Sequence, residues 1–112
     1  MKVIPQVSEL RRSGLKVKVN HLRDFYRFDP KTGRKSVIRM SFHEKTASFP
    51  DYYLEARGGT TIISIIHPYF EKPLVGVAEC SQYDIFNKKF GTKKALAVAL
   101  APVFEEKKHS GN

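Results

Sequence analysis

The stretch VGVAECSQYDIFNKKFGTKKALAVALA, residues 75–101, joins a short apolar segment directly to helix-forming sequence. At its start, the small side chains of Gly76 and Ala78 allow another backbone to approach closely. Ser81 is a good helix N-cap, and Asp84 completes the pattern of a capping box. The stretch therefore predicts a buried strand followed by a helix that covers the sheet.

Gly91 divides the helical part into two predicted pieces. The first piece, residues 82–90, ends where Gly91 can adopt the left-handed conformation of a C-cap. Thr92 then acts as a second N-cap, and residues 93–101 are strong helix formers that end before Pro102. A single unbroken helix is the alternative, but it would turn two lysines towards the buried side. The sequence therefore favours a bent helix pair.

Lysines are concentrated around this glycine. They are Lys88, Lys89, Lys93 and Lys94. The start of a helix offers unpaired backbone N–H groups and a positive dipole end, so these lysines with Thr92 can hold a phosphate. The alternative is that they only solvate two helix ends.

The composition is that of one small domain. The chain has 112 residues and a formal net charge of +9, which is sufficient length for a modest core. No segment reaches the ~20 apolar residues of a membrane span, and the N-terminus lacks the apolar region of a secretory signal. One cysteine and four scattered histidines allow no internal disulfide and disfavour a zinc site. We expect a cytoplasmic protein without metal or cofactor.

The positive charge is unevenly distributed. Residues 1–45 hold 12 lysines and arginines against 4 acidic residues, whereas residues 46–79 hold 2 against 4. Residues 80–112 hold 6 against 3. This asymmetry favours a polyanionic partner, either nucleic acid or an acidic protein surface.

A hairpin is predicted from residues 22–28 and 34–43, which flank the turn sequence DPKTG at 29–33. Before it, residues 15–19 alternate as a half-buried strand, with Lys16 and Lys18 on the polar face. Alternation assigns one hairpin face to the core, with Leu22, Tyr26, Phe28, Ile38, Met40 and Phe42. The opposite face is expected to carry Arg23, Phe25, Arg27, Val37, Arg39 and Ser41.

This second hairpin face is basic with an aromatic side chain in its middle. Such a face suits stacking on bases and contact with a phosphate backbone. The alternative is that Phe25 packs under the N-terminal residues and the arginines are simply solvated.

The remaining elements complete an α+β fold. Residues 52–57 and 60–67 predict a second hairpin across Gly58-Gly59, and the isoleucines between 62 and 66 indicate a strand covered on both sides. We therefore expect a mostly antiparallel sheet of about five strands, covered on one face by a C-terminal helix or bent helix pair. The domain spans residues 15–104. Residues 1–14 are expected to form a flexible arm, with docking as the alternative, and residues 105–112 a polar tail.

Catalytic patterns are weak. Pro50-Asp51 resembles the start of a magnesium-dependent nuclease site, but Glu55 follows too closely and the expected lysine is missing. Glu79 is followed by Ser81 where that lysine would be required. Cys80 could act as a nucleophile if a histidine approached it, but its place in the buried strand favours a core residue. We expect no enzymatic activity.

Aromatic residues in loops form a possible partner-binding patch or cap the ends of the sheet: Tyr52, Tyr53, Tyr69 and Phe70.

One segment combines small, polar and aromatic residues at fixed spacing: Gly76, Ala78, Cys80, Ser81, Asp84, Phe86, Gly91, Ala95 and Leu96. It covers about a quarter of the chain and resembles a pattern in small uncharacterised bacteriophage proteins. Those proteins often have an arginine near the position of Val98, which this chain lacks. The resemblance implies a phage or mobile-element origin. It favours two roles, handling of nucleic acid or inhibition of a host protein such as a CRISPR effector.

The sequence thus predicts a non-enzymatic protein that binds nucleic acid mainly through phosphates, or alternatively an inhibitor of a nucleic-acid-binding host protein. The expected binding residues are Lys16, Lys18, Arg23, Phe25, Arg27, Arg39, Lys88, Lys89, Thr92, Lys93 and Lys94. No membrane partner is expected, and the oligomeric state stays open. The hypothesis requires that folding gathers these side chains on one surface.

Overall fold

The computed structural model describes the backbone of residues 4–110 and the side chains of residues 4–103. Its elements in chain order are α1 (Val7–Arg12), β1 (Lys16–Phe28), β2 (Lys35–Met40), α2 (Phe42–Ser48), β3 (Tyr53–Leu54), β4 (Arg57–Ile66), β5 (Leu74–Ile85) and α3 (Lys88–Ser110). The predicted α+β class is confirmed, because a five-stranded antiparallel sheet carries a C-terminal helix.

The long strand β1 organises the sheet. The strand order is β2-β1-β4-β5, and β3 also pairs with β1. The first half of β1 pairs with β4, from Lys16↔Ile66 to Leu22↔Thr60. Its second half pairs with β2, from Arg23↔Met40 to Phe28↔Lys35. The β1–β2 hairpin therefore projects beyond the main sheet, and the molecule is elongated, with extents of 64 × 27 × 21 Å.

Helix α3 packs on β5 and β4 and forms the main core. The buried residues of this cluster are Val17, Ile63, Ile65, Ala78, Ala95, Leu96, Ala99 and Leu100. The helix backbone lies directly on β5 at Gly76, where a Cβ atom would stand 1.9 Å from the Ala95 carbonyl oxygen. Gly76 is thus required for the close approach that the sequence predicted.

The helix predicted over residues 82–90 is wrong, because β5 continues to Ile85. The pairs Gly59↔Cys80 and Arg57↔Ile85 bracket a bulge, in which residues 81–84 leave the ladder. Ser81 Oγ accepts from the Tyr83 backbone N–H at 3.2 Å, forming a local turn rather than a helix cap. After the bulge, Ile85 rejoins the ladder opposite Arg57, and the Phe86 N–H donates to the Ala56 carbonyl at 3.0 Å.

The bend predicted at Gly91 is also wrong, because α3 runs unbroken through Pro102 to Ser110. The N-cap is Asn87, whose Oδ1 accepts from the Phe90 N–H at 3.1 Å. Gly91 serves packing instead, since a Cβ there would lie 2.4 Å from Thr61 Oγ1. The predicted tail is accordingly helical over residues 105–110, and residues 111–112 lie outside the described chain.

The hairpin itself is present, but the predicted faces are wrong. Opposed residues of antiparallel strands share a face, and the pairs are Arg23↔Met40 and Phe25↔Ile38. Phe25 and Met40 are each only 1% exposed, whereas Phe28 is 57% exposed. Helix α2 supplies the cover, with Phe42 edge-on to Phe25 at 5.3 Å between ring centroids. Helix α2 was not predicted, because the residues up to 43 were assigned to the second strand of the hairpin.

The second hairpin joins β4 to β5, not residues 52–57 to 60–67. Strand β3 pairs with β1, and Gly58-Gly59 lies within β4. The isoleucine strand is covered on one side only. Ile63 is fully buried under α3, but Ile66 on the opposite face is 39% exposed. We call that opposite side of the main sheet the open face.

The N-terminal residues are docked instead of forming the expected loose arm. Residues 7–12 form α1. Ile4, Val7 and Leu10 pack against the core cluster. Residues 1–3 lie outside the described chain. Docking is explained by the helical spacing of these apolar side chains. The charged residues between them make this pattern hard to detect in the sequence.

Candidate functional site

A groove of about 700 Å³ lies between the N-terminal residues 4–8 and the first turns of α3. From α3 it is lined by Lys88, Lys89, Thr92, Lys93 and Leu96. We call this the lysine groove. Its floor is apolar, with Ile4, Val7 and Leu96, and its rim is basic. An apolar floor under cationic rims is a suitable shape for a flexible polyanion.

Helical spacing places these side chains together. Lys89 and Lys93 are four residues apart, as are Lys88 and Thr92, so each pair lies on one stripe of the helix. Lys88, Lys89 and Lys93 are exposed, and Thr92 is half-buried. The docked segment at residues 4–8 forms the other wall. Tertiary docking therefore converts a lysine-rich helix end into a concave site.

The groove is electropositive. Among the side chains described, residues 4–103, its three lysines make no ion pair. No acidic residue lies in the first turn of α3, where the helix dipole and the N–H groups that Asn87 does not cap add positive potential. Anions are therefore attracted to this end of α3.

Phe90 was not among the predicted site residues; it lies on α3 next to the groove and lines the cavity beside the end of β5. Its side chain is 61% exposed, and Lys94 Nζ lies 5.2 Å from the ring centroid. The lysines on both sides of Phe90 in the sequence could have identified it as a binding residue. The predicted bend instead placed Phe90 at a helix end. The continuous helix instead presents the ring between Lys93 and Lys94.

Lys16 and Lys18 lie apart from the groove. Both are exposed on β1, and their partners Ile66 and Ser64 place them on the open face, opposite α3. The sheet itself separates them from Lys88 and its neighbours. These two lysines therefore cannot share a short phosphate segment with the groove.

Arg23 and Phe25 are interior residues. The Arg23 side chain stacks on Phe86 with 4.3 Å from Cζ to the ring centroid and donates to the Glu55 carbonyl at 3.3 Å. Burial lowers the pKa of Arg23, against opposing effects of Cys80 and Asp24. Its Nε is buried without a hydrogen-bond partner among the described residues. Neither side chain is available to a polymer at the surface.

Arg27 and Arg39 pair with carboxylates within the chain. Arg27 lies 2.9 Å from Asp51. Arg39 donates two hydrogen bonds to Asp24, at 2.8 and 2.9 Å, and a third to Thr60 Oγ1 at 3.0 Å. The hydrogen bonds to Asp24 raise the pKa of Arg39. The predicted arginine surface is thus divided between two sheet faces and partly neutralised.

A polar contact beneath α3 leads to a pH prediction. His21 Nδ1 and Thr61 Oγ1 share a hydrogen bond at 3.0 Å. Burial lowers the pKa of His21, and the nearby charges of Lys88 and Arg23 lower it further. The folded protein therefore disfavours protonated His21. Below about pH 6.5 the unfolded chain binds more protons, so the free energy of unfolding should fall as pH drops through that value.

Urea denaturation at several pH values between about 7.5 and 5.5 measures this effect. His21→Gln should flatten the pH dependence, whereas His43→Gln, at an exposed position of α2, should leave it in place. An unchanged pH slope in His21→Gln would show that His21 is not held neutral by the fold.

Other candidate chemistry finds little geometric support. Cys80 is half-buried, and its Sγ donates to the Asp84 carbonyl at 3.4 Å beside the bulge. Asp51 and Glu55 pair with Arg27 and Lys35. Within the described residues, no group of three or more His, Cys, Asp or Glu is placed to hold a metal ion. No helix in the described part is long and apolar enough to cross a membrane.

Comparison of the chain with protein-family models, with curated proteins and with solved structures found no match.

Proposed function

We propose that this protein binds single-stranded nucleic acid through the lysine groove. The observation that carries the proposal is the concave placement of Lys88, Lys89 and Lys93 at the start of α3, without acidic partners among the described side chains. Phosphate groups would contact the lysines, the Thr92 hydroxyl and the helix N-terminus.

Phe90 favours a single strand over a duplex. In a single strand the bases are free to stack on an exposed aromatic ring, and such stacking contributes about 1–3 kcal/mol per base. In a duplex the bases are stacked on each other, so Phe90 would gain little. Phosphate contacts and stacking do not read base edges, and sequence preference should therefore be weak.

Fluorescence anisotropy with labelled single-stranded and duplex oligonucleotides, titrated across salt concentrations, tests the proposal. We expect tighter binding to the single strand and a linear fall of log affinity with log salt, with a slope of about −0.7 for each phosphate neutralised. Phe90→Ala should weaken single-strand binding about fivefold or more. Phe90→Leu, which keeps the apolar volume, serves as the matched variant and should behave like Phe90→Ala. Undetectable or salt-independent binding would overturn the proposal.

A second candidate function is binding of a host protein, as an inhibitor would. It is favoured by the exposed apolar side chains at the projecting hairpin, where Phe28 is 57%, Val37 54% and Tyr53 67% exposed. Tyr26 packs among them. Exposed aromatic patches are frequent in protein interfaces. Capture of one host protein that survives nuclease treatment and is lost in Tyr53→Ser would support this role.

A further inference from the structure

We infer that the chain forms a two-fold symmetric dimer in which the outer edge of β5 pairs antiparallel with β5 of a second copy. The paired segment is residues 74–80, LVGVAEC. Within the described residues, β5 pairs only with β4 and ends the strand order. The backbone groups on its outer edge are therefore free to pair.

The two edges of the sheet differ in how they are protected. Natural edge strands carry charges, proline or bulges that prevent pairing. On the opposite side of the sheet, β2 has the sequence KSVIRM and carries Lys35 and Arg39. The part of β1 that β2 does not cover carries Lys16 and Lys18. Residues 74–80 of β5 carry Glu79 as their single charged side chain. Pro73 and the bulge at 81–84 confine the unprotected edge to this segment.

Apolar side chains are exposed on both sides of this edge. On the open face Val75 is 53% and Val77 46% exposed, and on α3 Val98 is 52% exposed. Val98 lies one helical turn beyond Lys94 on the same side of α3. Gly91 and Lys94 line a cavity together with the end of β5. These three valines flank the edge, so a partner strand would bury them from above and below.

A second copy is the occupant that fits this edge. A two-fold axis perpendicular to the sheet sets any strand antiparallel to itself, and exposed valines then meet exposed valines on the same face. The charge distribution also favours β5 as the site of contact between two copies. A chain with a net charge of +9 repels its copy, but β5 contains Glu79 and Asp84 and no lysine or arginine. The lysine groove lies on the other side of α3, so it stays open in the dimer.

The dimer would place two lysine grooves on one particle. A single polymer long enough to reach both would bind with higher avidity than it binds one groove. The dimer itself rests on the β5 edge and does not depend on the nucleic-acid proposal.

Sedimentation equilibrium on nuclease-treated protein, from low micromolar to near-millimolar concentration, tests the inference. We expect a mass about twice the 12.8 kDa of the chain. The double variant Val75→Lys/Val77→Lys should be monomeric, because it places charges beside the edge. Val37→Lys, an equally exposed valine on the β2 edge, is the matched control and should dimerise like the wild type.

Hydrogen exchange of the β5 amides in the wild type gives a readout independent of any variant. Outward-facing amides of residues 74–80 should become protected as concentration rises. A wild-type monomer throughout the range, or a dimer that persists in the folded double variant, would overturn the inference. If circular dichroism shows the double variant unfolded, concentration-independent exchange of these amides would overturn it instead.

Discussion

Replacement of Lys88, Lys89 and Lys93 together by alanine is expected to weaken binding of single-stranded nucleic acid about tenfold to a hundredfold at moderate salt. The three ammonium groups share one groove and make no ion pair among the described side chains, so each can release a counterion from the polymer. The salt slope should become shallower by about 2, since each phosphate contact on a single strand contributes roughly 0.7. Anisotropy titrations across salt concentrations measure both quantities.

Two further variants separate the groove from general charge. Lys31→Ala/Lys72→Ala removes two exposed lysines from loops, and binding should change less than threefold, about 0.6 kcal/mol. Lys16→Ala/Lys18→Ala removes the lysines of the open face and should have a similarly small effect. Equal losses of binding free energy per lysine removed in all three variants would show that net charge, and not the groove, attracts the polymer.

Gly76→Ala is expected to destabilise the protein by about 3 kcal/mol or more, a large part of the stability of a small domain. The added Cβ would lie 1.9 Å from the Ala95 carbonyl oxygen and 2.6 Å from the Ala99 backbone nitrogen. Both are backbone atoms of α3, so no side-chain rotation can relieve the overlap. The helix would have to move away from β5, and the contacts of Ala95 and Ala99 with the sheet would weaken.

The free energy of unfolding from urea denaturation measures this effect. Ser64→Ala, on the open face of β4, provides the control and should change stability by no more than about 0.5 kcal/mol. A Gly76→Ala protein as stable as the wild type would mean that α3 does not lie against β5 at this distance.

Local turn chemistry in the sequence was sufficient to place the first hairpin. Asp29 Oδ1 accepts from the Lys31 N–H at 2.8 Å, and Gly33 has a φ of 69°. These features depend on residues within the turn itself, and the pairing of β1 with β2 agrees with them. The same reasoning explains why the alanine- and leucine-rich segment was correctly predicted as the covering helix.

Alternation did not identify the faces of that hairpin, because large apolar and basic residues occur on both. Phe25 and Phe28 are both suited to a core, and only the position of α2 decides that Phe25 is buried. A shift of one residue in the assignment exchanges the two faces completely. For this reason the arginines do not form the single exposed surface that the sequence predicted.

The sequence by itself determined the α+β class, the turn at residues 29–33, the approach of a backbone to Gly76 and the concentration of lysines near Gly91. Each depends on local propensity or on spacing along the chain. Only the tertiary structure decided that residues 81–85 extend β5, that α3 is continuous and that α1 docks to form the lysine groove. Such choices depend on which distant segments pair and pack, because backbone pairing and burial over many residues outweigh a single cap or glycine.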